Sequence, residues 1–138
     1  MTNNIQLIGR YVLYTIIILF FAEMAFSFIA GLGWYIYNPD AMDDIPKLVI
    51  VSSAGSIAGI FFGSLFATCR FPKEATKSVI TGAVAAVSIS KIIDIFTTGI
   101  ISPEVFSGLV ISCITAFIGI MAGQIIIKRR GKSGPPRL

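Results

Sequence analysis

The chain has 138 residues, of which 55% are apolar and only 13% charged, and its mean hydropathy is +0.86. This composition excludes an ordinary soluble domain and is typical of a membrane protein. Histidine is absent and there are only two cysteines, Cys69 and Cys113, which nearly excludes a zinc or haem site and a cysteine–histidine nucleophile. We therefore expect no cofactor and no metal.

Four apolar stretches are each long enough to cross a bilayer as a helix, which takes roughly 20 residues. They cover residues 11–37, 48–69, 78–101 and 105–127. Lipid offers the backbone no hydrogen-bond partners and the stretches lack strict alternation, so they are predicted to be helices rather than strands of a barrel. The predicted fold is an all-α polytopic membrane protein. Its four-helix transmembrane domain covers residues 1–130, and a disordered basic tail covers 131–138.

The first predicted helix carries an acidic residue, Glu23, in the middle of its apolar stretch. We interpret this stretch as a retained helix, because it is longer than the apolar core of a secretory signal. It ends in Trp34, Tyr35 and Tyr37, whose amphipathic rings suit the interface on the outer side of the membrane.

Basic residues are concentrated beside alternate ends of the predicted helices. Nine of the eleven lie on one side: Arg10, Arg70, Lys73, Lys77, Lys128, Arg129, Arg130, Lys132 and Arg137. The positive-inside rule then predicts that both termini are cytoplasmic, with the loop that carries Asp40, Asp43 and Asp44 outside. The basic tail lacks interleaved aromatic residues, so we predict contact with the lipid bilayer and no nucleic-acid binding.

The second and fourth predicted helices carry small residues at four-residue intervals, a spacing that lets another backbone approach one helix face closely. These residues are Gly55, Gly59, Gly63 and Ala67 in the second helix, and Thr115, Gly119 and Gly123 in the fourth. Two interpretations stay open: packing inside the bundle, or a homodimer interface. The two helices also align at an offset of 60 residues, which suggests either two parallel hairpin repeats or convergent packing chemistry.

Three charged residues lie well inside the predicted spans: Glu23 in the first helix, and Lys91 and Asp94 in the third. Glu23 follows Tyr11 by 12 residues and Lys91 follows Ser78 by 13, so both lie about 18 to 20 Å from the cytoplasmic boundary. A charge at the bilayer centre costs at least about 2.5 kcal/mol, so these residues are expected to face partners or a watery cavity. The cluster is either structural, as a buried ion pair or with Lys91 and Asp94 snorkelling outward, or a functional site with Glu23 as a protonatable carboxylate.

Polar residues without charge are weaker candidates, because hydroxyls in membrane helices usually bond to backbone carbonyls. We assign no role to Ser52, Ser53, Ser56, Ser88, Ser90 or Gln124. A serine nucleophile would need Lys91 as its base, and no sequence feature places one beside it, so we predict that the protein is not an enzyme.

The segment from Phe21 to Met24, which contains Glu23, resembles the first helix of the small multidrug resistance transporters. These are four-helix proteins that work as dimers and exchange protons for cationic drugs at this glutamate. The resemblance implies a coupling role for Glu23. It covers one helix only: Lys91 and Asp94 are foreign to the pattern, and the aromatic residues that the family has around its third and fourth helices are not found.

A broader resemblance, in layout across most of the chain, is to uncharacterised bacterial four-helix proteins of the ABZJ type. It rests on the small-residue second helix and on Arg10, Tyr11, Tyr14, Arg70, Pro72 and Glu74. This resemblance implies the predicted topology and a bacterial inner membrane, and it implies no activity.

Two functions remain open at this stage. The first is a non-enzymatic inner-membrane protein that acts through helix–helix contacts, as an accessory subunit or a toxin-immunity protein, with another membrane protein or a second copy as its partner. The alternative is a small proton- or ion-coupled transporter that works as an oligomer, with Glu23 as the coupling carboxylate and Lys91 and Asp94 as gate or counter-ions.

Overall fold

The computed structural model describes residues 2–38, 45–99 and 103–132, and all regular secondary structure in these ranges is helical. Each of its four α-helices is long and apolar enough to cross a membrane, which indicates an integral membrane protein and confirms the predicted all-α class. The helices are α1 (Thr2–Tyr37), α2 (Ile45–Arg70), α3 (Thr76–Thr98) and α4 (Pro103–Lys132), and a 3₁₀ turn (Lys73–Ala75) joins α2 to α3.

The helix ends differ from the predicted ones for local reasons. Helix α3 ends three residues early because Gly99 adopts a left-handed conformation (φ 66°) and donates its N–H to the carbonyl of Ile95. Helix α4 begins at Pro103, whose missing N–H costs nothing in a first turn, and continues to Lys132. The first two residues assigned to the disordered tail are thus helical, and residues 133–138 lie outside the described residues.

Helix α1 begins nine residues earlier than predicted, at Thr2. The segment before Tyr11 is polar at its start and contains no proline, so nothing in it interrupts helical hydrogen bonding. The added turns carry α1 well beyond the apolar stretch that predicted its membrane span.

The helices are arranged in the order α1, α2, α4, α3 around the bundle. Helix α1 packs along α2 and α3, and α4 packs along the same two helices, while α2 and α3 meet only briefly across the diagonal. A two-fold axis along the membrane normal that related two hairpins would place α2 and α4 at opposite corners. They are neighbours instead, so the parallel-repeat interpretation is wrong.

Glycine contacts show how the helices are aligned. Along α2, Gly55 meets α1 at Phe26 while Gly63 meets it nearer the chain start, at Leu19, so α1 and α2 run antiparallel. Gly82 of α3 meets α1 at Thr15, and Gly119 and Gly123 of α4 meet successive turns of α2. We call the end with the start of α1, the 3₁₀ turn and the last residues of α2 and α4 the termini end, and the opposite end the loop end.

The hydrophobic core occupies the half of the bundle nearer the termini end. Its buried members all lie at the level of Glu23 or below it, towards that end: Leu19, Ile60, Ala67, Val79, Ala83, Ala86, Val87, Ala116 and Ile120. Most are small or β-branched, which lets the helix backbones approach closely. The loop-end half is built differently, and the candidate site lies there.

Candidate functional site

A cavity of about 530 Å³ lies in the loop-end half, and all four helices contribute to its wall. We call it the polar cavity, because ionisable side chains and serines make up much of its lining. They are Glu23, Lys91, Asp94 and Glu104, with Ser27, Ser52, Ser53, Ser56, Ser90 and, from α4, Ser112 completing the polar wall. Its size falls within the range of small-molecule binding sites.

Glu23 lies at the deep end of the polar cavity and is half-buried. Its Oε1 accepts hydrogen bonds from two hydroxyls on different helices, Ser56 Oγ at 2.5 Å and Ser90 Oγ at 3.1 Å. Charge-assisted hydrogen bonds of this kind are short and roughly twice as strong as neutral ones. Three helices therefore converge on one carboxylate.

Gly59 of helix α2 allows Ser56 to reach the carboxylate of Glu23. A β-carbon at Gly59 would lie 2.6 Å from both the carbonyl oxygen of Ala22 and the Cα of Glu23, so only glycine permits this approach of the two backbones. Ser56 precedes Gly59 by about one turn and shares its face. The close backbone contact thus places the hydroxyl over the carboxylate.

Lys91 and Asp94 line the same cavity but pair with each other. Lys91 Nζ donates to Asp94 Oδ2 at 2.9 Å, an i,i+3 ion pair whose aspartate is half-exposed. The lysine chain lies beside Gly108 of α4, where a β-carbon would meet Lys91 Cε at 3.7 Å. The structure therefore brings the three predicted charges to one cavity, and it leaves Glu23 bonded to serines and Lys91 bonded to Asp94.

The rotation of helix α3 about its axis explains why Glu23 bonds to Ser90 and not to Lys91. Consecutive residues of an α-helix differ by about 100° in direction, so α3 cannot turn both Ser90 and Lys91 towards Glu23. Ser90 faces α1, and Lys91 faces α4. Within the described residues, Glu23 has hydroxyl partners and no ion pair.

The polar cavity carries an excess of negative charge. Three carboxylates and one ammonium line it, so its formal charge with all four ionised is −3 plus +1, or −2. Apolar walls of low dielectric strengthen such a field and concentrate ions of opposite sign. The arrangement suits a cation or an exchangeable proton.

Ser56 and Ser90, to which the sequence interpretation assigned no role, are therefore direct hydrogen-bond partners of Glu23. Ser27 and Ser52 add a second hydroxyl pair to the cavity wall, with oxygens 2.6 Å apart. By contrast, Ser53 and Ser88 donate to carbonyls of their own helices, as expected for hydroxyls in membrane helices. The sequence signal for Ser56 was its position one turn from Gly59, and for Ser90 its adjacency to Lys91.

The predicted small-residue seams lie between helices of the same chain. Gly55, Gly59 and Gly63 face α1, while Gly119 and Gly123 face α2, and a β-carbon added at any of them would lie 2.5 to 3.1 Å from the nearest atom of the facing helix. Ala67 is fully buried in the core, and Thr115, half-buried, donates its hydroxyl to the carbonyl of Ile111. These glycines are thus used for packing within the bundle.

In the described part of the chain, no three histidine, cysteine or acidic side chains are placed so that they could hold one metal ion, and the three carboxylates of the polar cavity do not form such a group. Cys69 and Cys113 are both free thiols, and Cys69 Sγ lies 3.9 Å from the carbonyl oxygen of Gly123. The chemistry available at the polar cavity is therefore that of carboxylates, hydroxyls and one ammonium.

Comparison with known proteins gives no match among family models, curated proteins or solved structures. The resemblances to small multidrug resistance transporters and to ABZJ-type proteins stay predictions.

Proposed function

We propose that this chain is a small proton- or ion-coupled membrane transporter in which Glu23 is the coupling carboxylate. The observation that supports this function best is the environment of Glu23: it lines a cavity of about 530 Å³ and is held by hydroxyls instead of a cation. No enzymatic step is part of the proposal.

The hydroxyl partners suit a group that gains and loses a proton. A serine hydroxyl can donate a hydrogen bond to a carboxylate and, after rotating, accept one from the neutral acid. Ser56 and Ser90 can therefore satisfy Glu23 in both states, whereas a buried ammonium would favour the ionised state alone. Lys91, which could have played that part, is bonded to Asp94.

The proposed orientation follows from charge. Arg10, Arg70, Lys73, Lys77, Lys128, Arg129 and Arg130 all lie at the termini end. The positive-inside rule then puts this end and both termini in the cytoplasm, in a bacterial inner membrane. In this orientation the polar cavity belongs to the outer half of the protein, and the packed core separates Glu23 from the cytoplasm.

Transport across the whole membrane then requires a second conformation in which the termini-end half opens. A polar cavity on one side and a closed core on the other correspond to one state of such a cycle. One chain supplies side chains from all four helices to the wall of the cavity. That the transporter works as an oligomer stays a prediction from the sequence.

The competing function is the contact-mediated one, as an accessory or immunity protein. Its support in the sequence was the lack of a cofactor motif, the small-residue seams and the short acidic outer loop as surfaces for a partner; residues 39–44 of that loop lie outside the described residues. The glycines Gly55, Gly59, Gly63, Gly119 and Gly123 pack against other helices of the same chain, so these seams are not open to a partner. We therefore prefer transport.

The test is ion flux in liposomes that contain the purified protein and an internal pH-sensitive dye. An imposed potential should drive a pH change with wild-type protein and not with Glu23→Gln. Glu74→Gln is the matched control, because Glu74 is an exposed carboxylate in the 3₁₀ turn, far from the cavity. Equal flux in wild type and Glu23→Gln would remove Glu23 from the mechanism. A pulldown from the native membrane that yields a stoichiometric foreign protein, together with absent flux, would favour the contact-mediated function.

A further inference from the structure

A second cavity, of about 320 Å³, lies at the termini end and takes no part in the proposed transport site. We call it the basic cavity. Its wall is formed by the end of α2, the 3₁₀ turn, the start of α3 and the last turns of α4, through Thr68, Lys73, Thr76, Gln124, Ile127 and Lys128. It lies about 20 Å along the bundle axis from Glu23, since Ser56 and Arg70 of α2 are 14 residues apart.

The packing of α4 on α2 builds this cavity. A β-carbon at Gly123 would lie 2.8 Å from Thr68 Cβ, so the two helices are in close contact there. Gln124 follows directly, and Lys128 lies one turn further along α4, over the 3₁₀ turn that carries Lys73. Two lysines from separate elements therefore meet across one cavity.

The donors in the basic cavity are the two ammonium groups and the side-chain amide of Gln124. The hydroxyls of Thr68 and Thr76 use their hydrogens on backbone carbonyls, at 2.8 Å to Ser64 and 2.7 Å to Lys73, so they shape the wall. Lysine ammoniums and amide N–H groups together suit the oxygens of a phosphate group.

The charged side chains around the basic cavity are also mostly positive. Seven basic side chains lie at the termini end among the described residues, against one acidic side chain, Glu74. Glu74 is exposed and is not part of the cavity wall. An anion in the cavity is therefore attracted by its wall and by the charges around it.

The depth of the basic cavity indicates that a membrane lipid supplies the anion. It lies where the apolar faces of α2 and α4 give way to basic residues, which is the depth of lipid headgroups for a protein that spans the bilayer. Basic cavities between membrane helices at this depth bind anionic headgroups. Ile127 adds an apolar wall beside which a lipid's glycerol and upper acyl chains can lie.

We propose that the basic cavity is a specific site for a phosphate group, supplied by an anionic phospholipid whose headgroup is held between Lys73 and Lys128. Phosphate from a soluble compound has the same chemistry and would meet the same donors. The two sources differ in whether the bound species carries acyl chains and partitions with the membrane.

The experiment is native mass spectrometry of delipidated protein to which phosphatidylglycerol or phosphatidylcholine with identical chains is added. We expect one phosphatidylglycerol to be retained per chain, in preference to phosphatidylcholine. Each of Lys73→Gln and Lys128→Gln should weaken retention about tenfold, because each removes one of the two ammonium groups proposed to bind the phosphate directly, and a hydrogen bond to a charged group is worth about 1.5 kcal/mol or more. Lys77→Gln is the matched control, because Lys77 is exposed at the same end and absent from the cavity wall.

Further arms separate the possible outcomes. Lys128→Arg keeps the charge and should retain the lipid, which distinguishes loss of binding from loss of folding. Inorganic phosphate and glycerol 3-phosphate are added as competitors; displacement of the lipid by either at low concentration would support the phosphate site with a soluble ligand. Equal retention in all variants, equal retention of both lipids, or an equal effect of Lys77→Gln would overturn the proposal, because each indicates non-specific attraction to the basic surface.

Discussion

The two halves of the bundle use helix α4 in different ways. In the termini-end half, a glycine brings two backbones together: a β-carbon at Gly119 would lie 2.5 Å from the carbonyl oxygen of Phe61 on α2. In the loop-end half, Gly108 faces the side chain of Lys91 at an ordinary contact distance of 3.7 Å. The same residue type on the same helix therefore closes one half and leaves room for a charged side chain in the other.

Charge explains why the loop-end half stays open. Glu23, Lys91, Asp94 and Glu104 all lie on that side or at its boundary, and a charge cannot be buried in a dry core without several kcal/mol of desolvation. A cavity lined by serines accommodates these groups at lower cost. The tightly packed termini-end half therefore fixes the positions of the helices, and the open loop-end half carries the ionisable and hydroxyl side chains.

The contact between Gly59 and α1 lies where the two halves meet. Of the substitutions considered, Gly59→Leu should lower the unfolding free energy most. The new side chain would meet the backbone of Ala22 and Glu23 at 2.6 Å, so the helices must separate. We expect a loss of about 3 kcal/mol or more in unfolding free energy. The measurement is a denaturant titration in micelles followed by circular dichroism.

Gly33→Leu is the control for that substitution. Gly33 also lies in a membrane helix, on α1, and a β-carbon there meets nothing within 4 Å. It should leave the unfolding free energy within about 0.5 kcal/mol of wild type. Equal losses for the two substitutions would show that the close approach at Gly59 does not hold the helices together.

A pair of substitutions on α4 compares the two halves directly. Gly119→Ala places a methyl group 2.5 Å from the carbonyl oxygen of Phe61 and should destabilise the protein by about 2 kcal/mol. Gly108→Ala meets only the end of Lys91 and should be neutral or stabilising by about 0.5 kcal/mol, since alanine favours a helix over glycine. Circular dichroism melts of both variants are the measurement, and similar melting shifts would mean that the halves are packed alike.

The parts of this structure that follow from counting residues were predictable from sequence. Apolar length predicted four helices, and residue spacing placed Glu23 and Lys91 at the same depth; the structure bonds Glu23 to Ser90, the neighbour of Lys91. The helix ends differ where a local feature stops the helix, as at Gly99, and where the helix continues beyond its apolar stretch, as at the start of α1. Depth and helical class are properties of single segments, which is why sequence contains them.

The arrangement of the helices around one another could not be predicted in this way. The order α1, α2, α4, α3 and the rotation of each helix depend on which faces meet, and several small-residue faces compete for the same contacts. A rotation of α3 by about 100° would exchange Ser90 for Lys91 beside Glu23. The partners of the carboxylate, and hence the cavity chemistry, were therefore beyond the sequence.

The hydroxyl contact in the open half is tested by Ser56→Ala. Removing the donor at 2.5 Å from Glu23 Oε1 takes away a hydrogen bond to a charged group, which is worth about 1.5 kcal/mol or more, so ion flux should fall about tenfold. Ser53→Ala is the matched control: Ser53 lines the same cavity and donates to Val49 in its own helix. Liposome flux measures both, and an equal change in the two variants would mean that flux depends on cavity polarity instead of on the bond to Glu23.

Substitutions in the Lys91–Asp94 ion pair test the charge of the loop-end half. Their expected effects on ion flux are the smallest. Lys91→Gln changes the formal charge of the polar cavity from −2 to −3, and Asp94→Asn changes it to −1. If the cavity concentrates cations, initial flux should rise about two- to threefold in the first variant and fall by a similar factor in the second. Both differences should shrink at high salt, because ions screen charges that face water. A fall in flux in both variants, at every salt concentration, would instead make the Lys91–Asp94 bond itself the requirement, with the pair acting as a gate whose two halves are needed together.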